Sequence, residues 1–153
     1  MADAAFSPQE KLGRRLFTAG AVFLILLGAV HSLSLIERLK PQNDSERQLV
    51  DLMTSYKFNR MGSLRSMDNL MTGFSVAFLL SALVLGALGL ILCRERSGLL
   101  KRVALAVTLW LAALSAVSIH YFFPAPTSFL LLSFALFFFS WLTLPVLPSS
   151  PGP

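Results

Sequence analysis

The stretch VALAVTLWLAALSAVSIHYFFPAPTSFLLLSFALFFFSWLTLPVLPSSPGP, residues 103–153, decides the fold. It carries no Asp, Glu, Lys or Arg over 51 residues. A segment this long and apolar would not stay dissolved in water, so lipid is its solvent. Pro124-Ala125-Pro126 divides it into two runs. The first, Val103 to Phe123, is long enough to span a bilayer. The second, Ser128 to Leu144, has 17 residues and sits at the short limit for a span. A three-residue link permits only an antiparallel pair of helices. Pro145, Pro148, Pro151 and Pro153 end the last helix and predict a disordered tail over 148–153.

The same pattern repeats upstream. No charge lies between Arg15 and Glu37, and none between Asp68 and Arg94. Leu16 to Ile36 gives 21 apolar residues, about 30 Å of helix at the α-helical rise. Asn69 to Leu92 gives another span. The chain is thus expected to be an all-α integral membrane four-helix bundle. Its transmembrane domain covers 16–147, with spans at 16–36, 69–92, 103–123 and 128–144, after a polar flank at 1–15. Composition agrees: 14% of residues are charged, where soluble domains carry about a quarter. A secretory leader is the competing reading of the first span, but its apolar run is long for a leader's core.

Glu37 to Met67 is the one sizeable polar segment. Pro41-Gln42-Asn43-Asp44 signals a turn. Ser45-Glu46-Arg47-Gln48 has capping-box spacing, and Leu49, Leu52, Met53 and Tyr56 follow at helical intervals. These predict an amphipathic helix over about 45–57, lying on the bilayer surface or capping the bundle.

Orientation follows from positive charge, which favours the cytoplasm. Lys11, Arg14 and Arg15 precede the first span. Arg94, Arg96, Lys101 and Arg102 join the second to the third. The last link has none. The N- and C-termini are therefore expected inside, in a cytoplasmic membrane. The segment from Glu37 to Asp68, expected outside, carries six Lys/Arg against five acidic residues. The net charge of +5 is explained by lipid and topology, so nucleic acid is not an expected partner. The single cysteine, Cys93, forms no intrachain disulfide and falls on the reducing side. Tyr121 and Trp141 fit an interfacial aromatic belt.

Helices in lipid associate through close approach at small residues. The second span offers Gly73, Ala77 and Ser81, then Ala82, Gly86 and Gly89. The third offers Ala104, Thr108, Ala112 and Ala116, ending at His120. The first offers Gly28 and Ser32. The fourth is rich in aromatics. The first three spans are thus expected to pack tightly and the fourth to be more lipid-facing.

Few residues could carry chemistry. His31 and His120 lie inside apolar spans, where ionisable groups are functional candidates. Both fall near the outer ends of outward-running helices, within about 5 Å of one depth. Two such histidines could ligate haem b axially, bind a metal or relay protons. The plainer alternative is interfacial imidazoles bonded to Ser32, Ser118 or headgroups. No Cys, Asp or Glu joins them at zinc-ligand spacing. Asp68, near Arg65, is expected to cap the second span. The sharper alternative turns Asp68 inward to meet His31 or His120.

The stretch Met61-Gly62-Ser63-Leu64-Arg65-Ser66-Met67-Asp68, followed by Gly73-Phe74-Ser75, resembles one protein group. It is similar to uncharacterised small bacterial four-pass membrane proteins. In these a histidine near the end of the first span precedes an M-G-x-x-R-S…D…G-F-S lead into the second, and His31 matches its place. The resemblance covers residues 20–90. It implies a four-helix membrane fold and no particular activity, and it points to His31, Arg65, Asp68 and Ser75.

With no catalytic constellation, the expected function is non-enzymatic: an accessory or assembly partner of a larger membrane complex. A haem-binding or redox subunit using His31 and His120 is the alternative. A small oligomeric transporter ranks last, because the span interiors offer no charge to couple substrate to ions.

Overall fold

The computed structural model describes residues 6–36 and 40–145. The expected tail, 148–153, lies outside them. The elements in order are α1 (Pro8–Ile36), α2 (Asp44–Ser55), β1 (Lys57–Arg60), β2 (Ser63–Ser66), α3 (Met67–Leu92), α4 (Ser97–Tyr121) and α5 (Pro124–Thr143). The fold is all-α apart from the short β1–β2 hairpin. Among the described residues four helices, α1, α3, α4 and α5, are long and apolar enough to cross a membrane. The chain is a multi-pass integral membrane protein.

Helix ends are set by local chemistry, and several begin earlier than hydropathy alone suggests. α1 starts at Pro8, where a frayed polar flank was expected. The Ser7 hydroxyl accepts the Glu10 backbone N–H at 3.2 Å, and Pro8 occupies the first helical position, which needs no donor. α5 starts at Pro124 rather than after the prolines. Both Pro124 and Pro126 fall in the first turn, whose N–H groups have no helical partner to lose. The α4–α5 link is therefore only Phe122 and Phe123. Pro145 follows the last helical residues and prevents continuation.

The α2 cap lies two residues before the expected one. Asn43 Oδ1 accepts the Glu46 N–H at 2.8 Å, and Glu46 reaches back to the Gln42 N–H at 2.7 Å. Asn43-x-x-Glu46 thus outcompetes Ser45-x-x-Gln48. The Glu carboxylate accepts more strongly than an amide and complements the helix dipole. No residue of α2 is buried.

The hairpin was not expected. β1 and β2 pair antiparallel with Phe58 opposite Arg65 and Arg60 opposite Ser63. The connecting Met61 and Gly62 both have positive φ, 51° and 79°, as a two-residue primed turn requires. Met is an uncommon residue there, which hid the turn from a reading based on Asn-Gly or Asp-Gly signals.

The chain forms two compact units. One comprises Gly28–Ser81, and the other comprises the described parts of 1–27 and 82–153. In the second unit, α1 buries Gly13, Phe17, Gly20, Ala21, Leu24 and Leu27. α4 buries Ser97, Leu100, Ala104, Thr108, Leu111, Ser115 and Ser118, and α5 buries Thr127, Leu130, Ser133, Phe137 and Ser140. These positions repeat every three or four residues, the spacing of helices crossing at small angles. α5 is therefore packed too: it is less buried than α1 and α4, as expected of the more lipid-facing span, but α3 and not α5 is the least buried of the four. The Phe137 ring meets Phe17 edge-on at 5.2 Å and covers Gly20, where an added Cβ would come within 2.8 Å of it. The aromatic finds its place because α1 has no side chain at that point.

Burial in lipid brings little hydrophobic gain, so shape and hydrogen bonds decide which faces meet. Ser140 Oγ on α5 donates to the Gly13 carbonyl of α1 at 2.9 Å. The Ser118 and Thr127 hydroxyls join α4 to α5 at 2.8 Å. Such bonds contribute about 0.6 kcal/mol each in membrane proteins. Two other buried hydroxyls, Thr108 and Ser133, bond back one turn to the Ala104 and Phe129 carbonyls, at 2.7 and 2.9 Å.

Candidate functional site

The residues singled out by the sequence are divided between the two compact units. His31, Arg65, Asp68 and Ser75 belong to the Gly28–Ser81 unit, and His120 to the other. His31 packs edge-on against Phe78, with ring centroids 4.9 Å apart. His120 is exposed beside Tyr121, with ring centroids 5.3 Å apart. Ser32 Oγ donates to the Ala29 carbonyl at 2.6 Å, and Ser118 pairs with Thr127.

Asp68 is exposed in the first turn of α3 and does not cap it. The cap is a reciprocal pair: Ser66 Oγ accepts the Asn69 N–H and Asn69 Oδ1 accepts the Ser66 N–H, both at 3.2 Å. Ser66 and Asn69 have the right spacing for this box. The signal was present, but Asp68 drew the reading because of its charge. Arg65 Nη1 bonds the adjacent Leu64 carbonyl at 3.0 Å, and Ser75 is half-buried. Among the described residues, no group of three or more His, Cys, Asp or Glu could hold a metal ion.

The polar cluster that does assemble was missed. It lies where α1 begins, α3 ends and α4 begins, all in one unit. Arg14 is at its centre. Its Nη2 donates to Ser97 Oγ at 2.8 Å and its Nη1 to the Cys93 carbonyl at 3.2 Å. Its Nε lies 3.5 Å from Glu10 Oε1, and its guanidinium sits 4.5 Å from the Phe6 ring centre. Ser97 Oγ donates to Glu10. Nearby in the same unit, Lys101 Nζ donates to the Leu144 carbonyl at 2.6 Å.

The chemistry is that of capping. The last carbonyls of α3 and α5 have no helical donor, and the C-terminal dipole favours a cation. Arg14 and Lys101 supply those cations from other helices. Sequence reading assigned both residues to topology alone, because the match between a guanidinium and a distant carbonyl has no sequence spacing. The cluster ties helix ends together. It contains no nucleophile–base pair and suggests no reaction.

The small-residue rows divide into used and unused parts. On α3, Ala82, Gly86 and Gly89 are buried. An added Cβ at Gly86 would meet Ile25 Cγ1 at 2.6 Å and the Ala21 carbonyl oxygen at 2.8 Å. Gly73, Ala77 and Ser81 are instead exposed, and a Cβ at Gly73 would meet nothing within 4 Å. On α4, Ala104 and Thr108 are buried, but Ala112 and Ala116 are exposed with His120. Four residues turn a helix by about 40° beyond one full turn, so a strict four-residue row rotates off a straight seam. Leu111, Ser115 and Ser118 take over on the buried side.

Comparisons with protein-family models, with curated proteins and with solved structures gave no match.

Proposed function

We propose that this chain is a non-enzymatic accessory subunit that docks a helix of a membrane partner against α3. One observation carries the reading: the Gly73, Ala77 and Ser81 row is open over its whole length. The equivalent Gly86 and Gly89 surface is filled by α1 residues Ala21, Ile25 and Phe17. Small residues at four-residue spacing let a second backbone come close, which is the main source of helix affinity in lipid. α3 is also the least buried of the four spans, 17% over its most apolar stretch against 22–33% for the other three.

The orientation that accompanies this reading places the N-terminal flank, the α3–α4 link and the C-terminus in the cytoplasm. Lys11, Arg15, Arg94, Arg96 and Arg102 are exposed on these segments, which suits the positive-inside rule.

The test is crosslinking in native membranes of wild type against Gly73→Leu/Ala77→Leu. The variant is expected to lose about ten-fold in association with its partner, whether another protein or a second copy, while its own fold persists. A wild type that stays monomeric and uncrosslinked would overturn the proposal. On the same reading the protein carries no haem. Purified chain exposed to haem b is expected to show no Soret band. A band lost in both His31→Ala and His120→Ala would instead assign a redox role.

A further inference from the structure

We infer that the β1–β2 hairpin is a headgroup-binding finger that docks onto anionic phospholipid at the leaflet where α3 begins. Arg60 and Arg65 would hold lipid phosphates, and Met61 would enter the acyl boundary.

The first observation is at the tip. Met61 occupies the left-handed region, φ 51°, and is fully exposed, 105% of its reference area. A non-glycine residue there costs about 1 kcal/mol, and Asn or Gly would form the same turn more easily. Met61 thus holds an uncommon backbone conformation with its side chain wholly uncovered among the described residues, and an apolar environment outside the chain would receive it.

The second observation is the register. Residues directly opposite in an antiparallel pair share a face, so Phe58, Arg65, Arg60 and Ser63 lie together. Both arginines are exposed, and neither has an ion-pair partner among the described residues. Phe58 is braced edge-on by Tyr56 at 5.0 Å. Two guanidiniums on one rigid face beside an apolar tip match a surface of phosphates above hydrocarbon.

The third observation is the tether. β2 ends at Ser66 and α3 begins at Met67, with no linker. A four-residue strand is about 13 Å long. The tip therefore cannot lie much more than that from the start of a membrane-spanning helix. This placement also gives a role to Arg60 and Arg65, two of the six Lys/Arg between Glu37 and Asp68, which the topology rule would place on the other side. The inference does not depend on the partner-docking reading, which rests on Gly73, Ala77 and Ser81 of α3.

The test uses the full chain in vesicles of phosphatidylcholine, with or without about a third phosphatidylglycerol. An environment-sensitive fluorophore is attached at Met61→Cys in a Cys93→Ser background. Expected is a blue shift and protection from acrylamide in the anionic vesicles. Arg60→Gln/Arg65→Gln should lower the docked population about 30-fold and return the emission to that in phosphatidylcholine. Backbone amide exchange supplies a label-free check on the unlabelled chain. Wild-type hairpin amides should exchange more slowly in the anionic vesicles. Met61→Asn should keep the turn but lose that protection.

Water-like emission in both lipids would overturn the inference. So would a shift that ignores lipid charge and the arginines, which would point to a protein partner or simple apolar insertion. A shift reproduced by inorganic phosphate in phosphatidylcholine vesicles would also overturn it, assigning the arginines to a free anion.

Discussion

Gly86→Leu is expected to separate α1 from α3 and to give the largest loss of stability of any single substitution proposed for this protein. Even a Cβ at Gly86 would stand 2.8 Å from the Ala21 carbonyl oxygen and 3.1 Å from the Ile25 nitrogen. Those are backbone atoms, so no rotamer change relieves the contact. The helices must move apart, which also opens the neighbouring Gly89 contact to Ala21. Overpacking of this kind costs about 1–3 kcal/mol when side chains can adjust. Here they cannot, and at least about 3 kcal/mol is expected. Reversible unfolding in mixed micelles measures it. Gly73→Leu, 13 residues earlier on the same helix, is the matched control. Nothing lies within 4 Å of its Cβ, so the isolated chain should keep its stability. Equal losses at the two glycines would show that the α1–α3 approach is not what Gly86 serves.

Arg14→Met should have the next largest effect, about 2–3 kcal/mol. The guanidinium satisfies Ser97 and the Cys93 carbonyl and faces Glu10, and the two ionic side chains are only 16% and 15% exposed. Removing one member of a buried pair leaves the other charge unpaired, which costs about 3–5 kcal/mol when burial is complete. Residual exposure lowers that figure through solvent screening. The double variant Glu10→Gln/Arg14→Met removes the stranded carboxylate as well and should recover part of the loss. Unfolding of the three proteins under one set of conditions gives the coupling directly. If the double variant is as unstable as the sum of its two singles, Arg14 acts only by packing its stem and not by pairing with Glu10.

How much of the site was legible differs from residue to residue. The candidate imidazoles were found because an ionisable group in an apolar run is visible in any sequence. Their surroundings were not, since Phe78 lies 47 residues from His31 in the chain. Ser7-Pro8-Gln9-Glu10 and Ser66-x-x-Asn69 were readable capping patterns, passed over for a polar composition and a nearby charge. The hairpin could not be read, because Met61 replaces the residues that normally announce such a turn. Small-residue rows were legible as rows. Which of them were used was not, because the sequence shows spacing but not what stands opposite.

The sequence by itself determined the solvent, the number of spans and the short links between the later helices. Those follow from how many consecutive uncharged residues the chain contains, a local sum that needs no partner. Only the tertiary structure decided that α5 is packed, that Gly86 rather than Gly73 is covered, and that Arg14 and Lys101 cap helices other than their own. In lipid, apolar burial hardly distinguishes one face from another. Close approach and hydrogen bonding between distant residues make that choice, and these exist only once the helices have met.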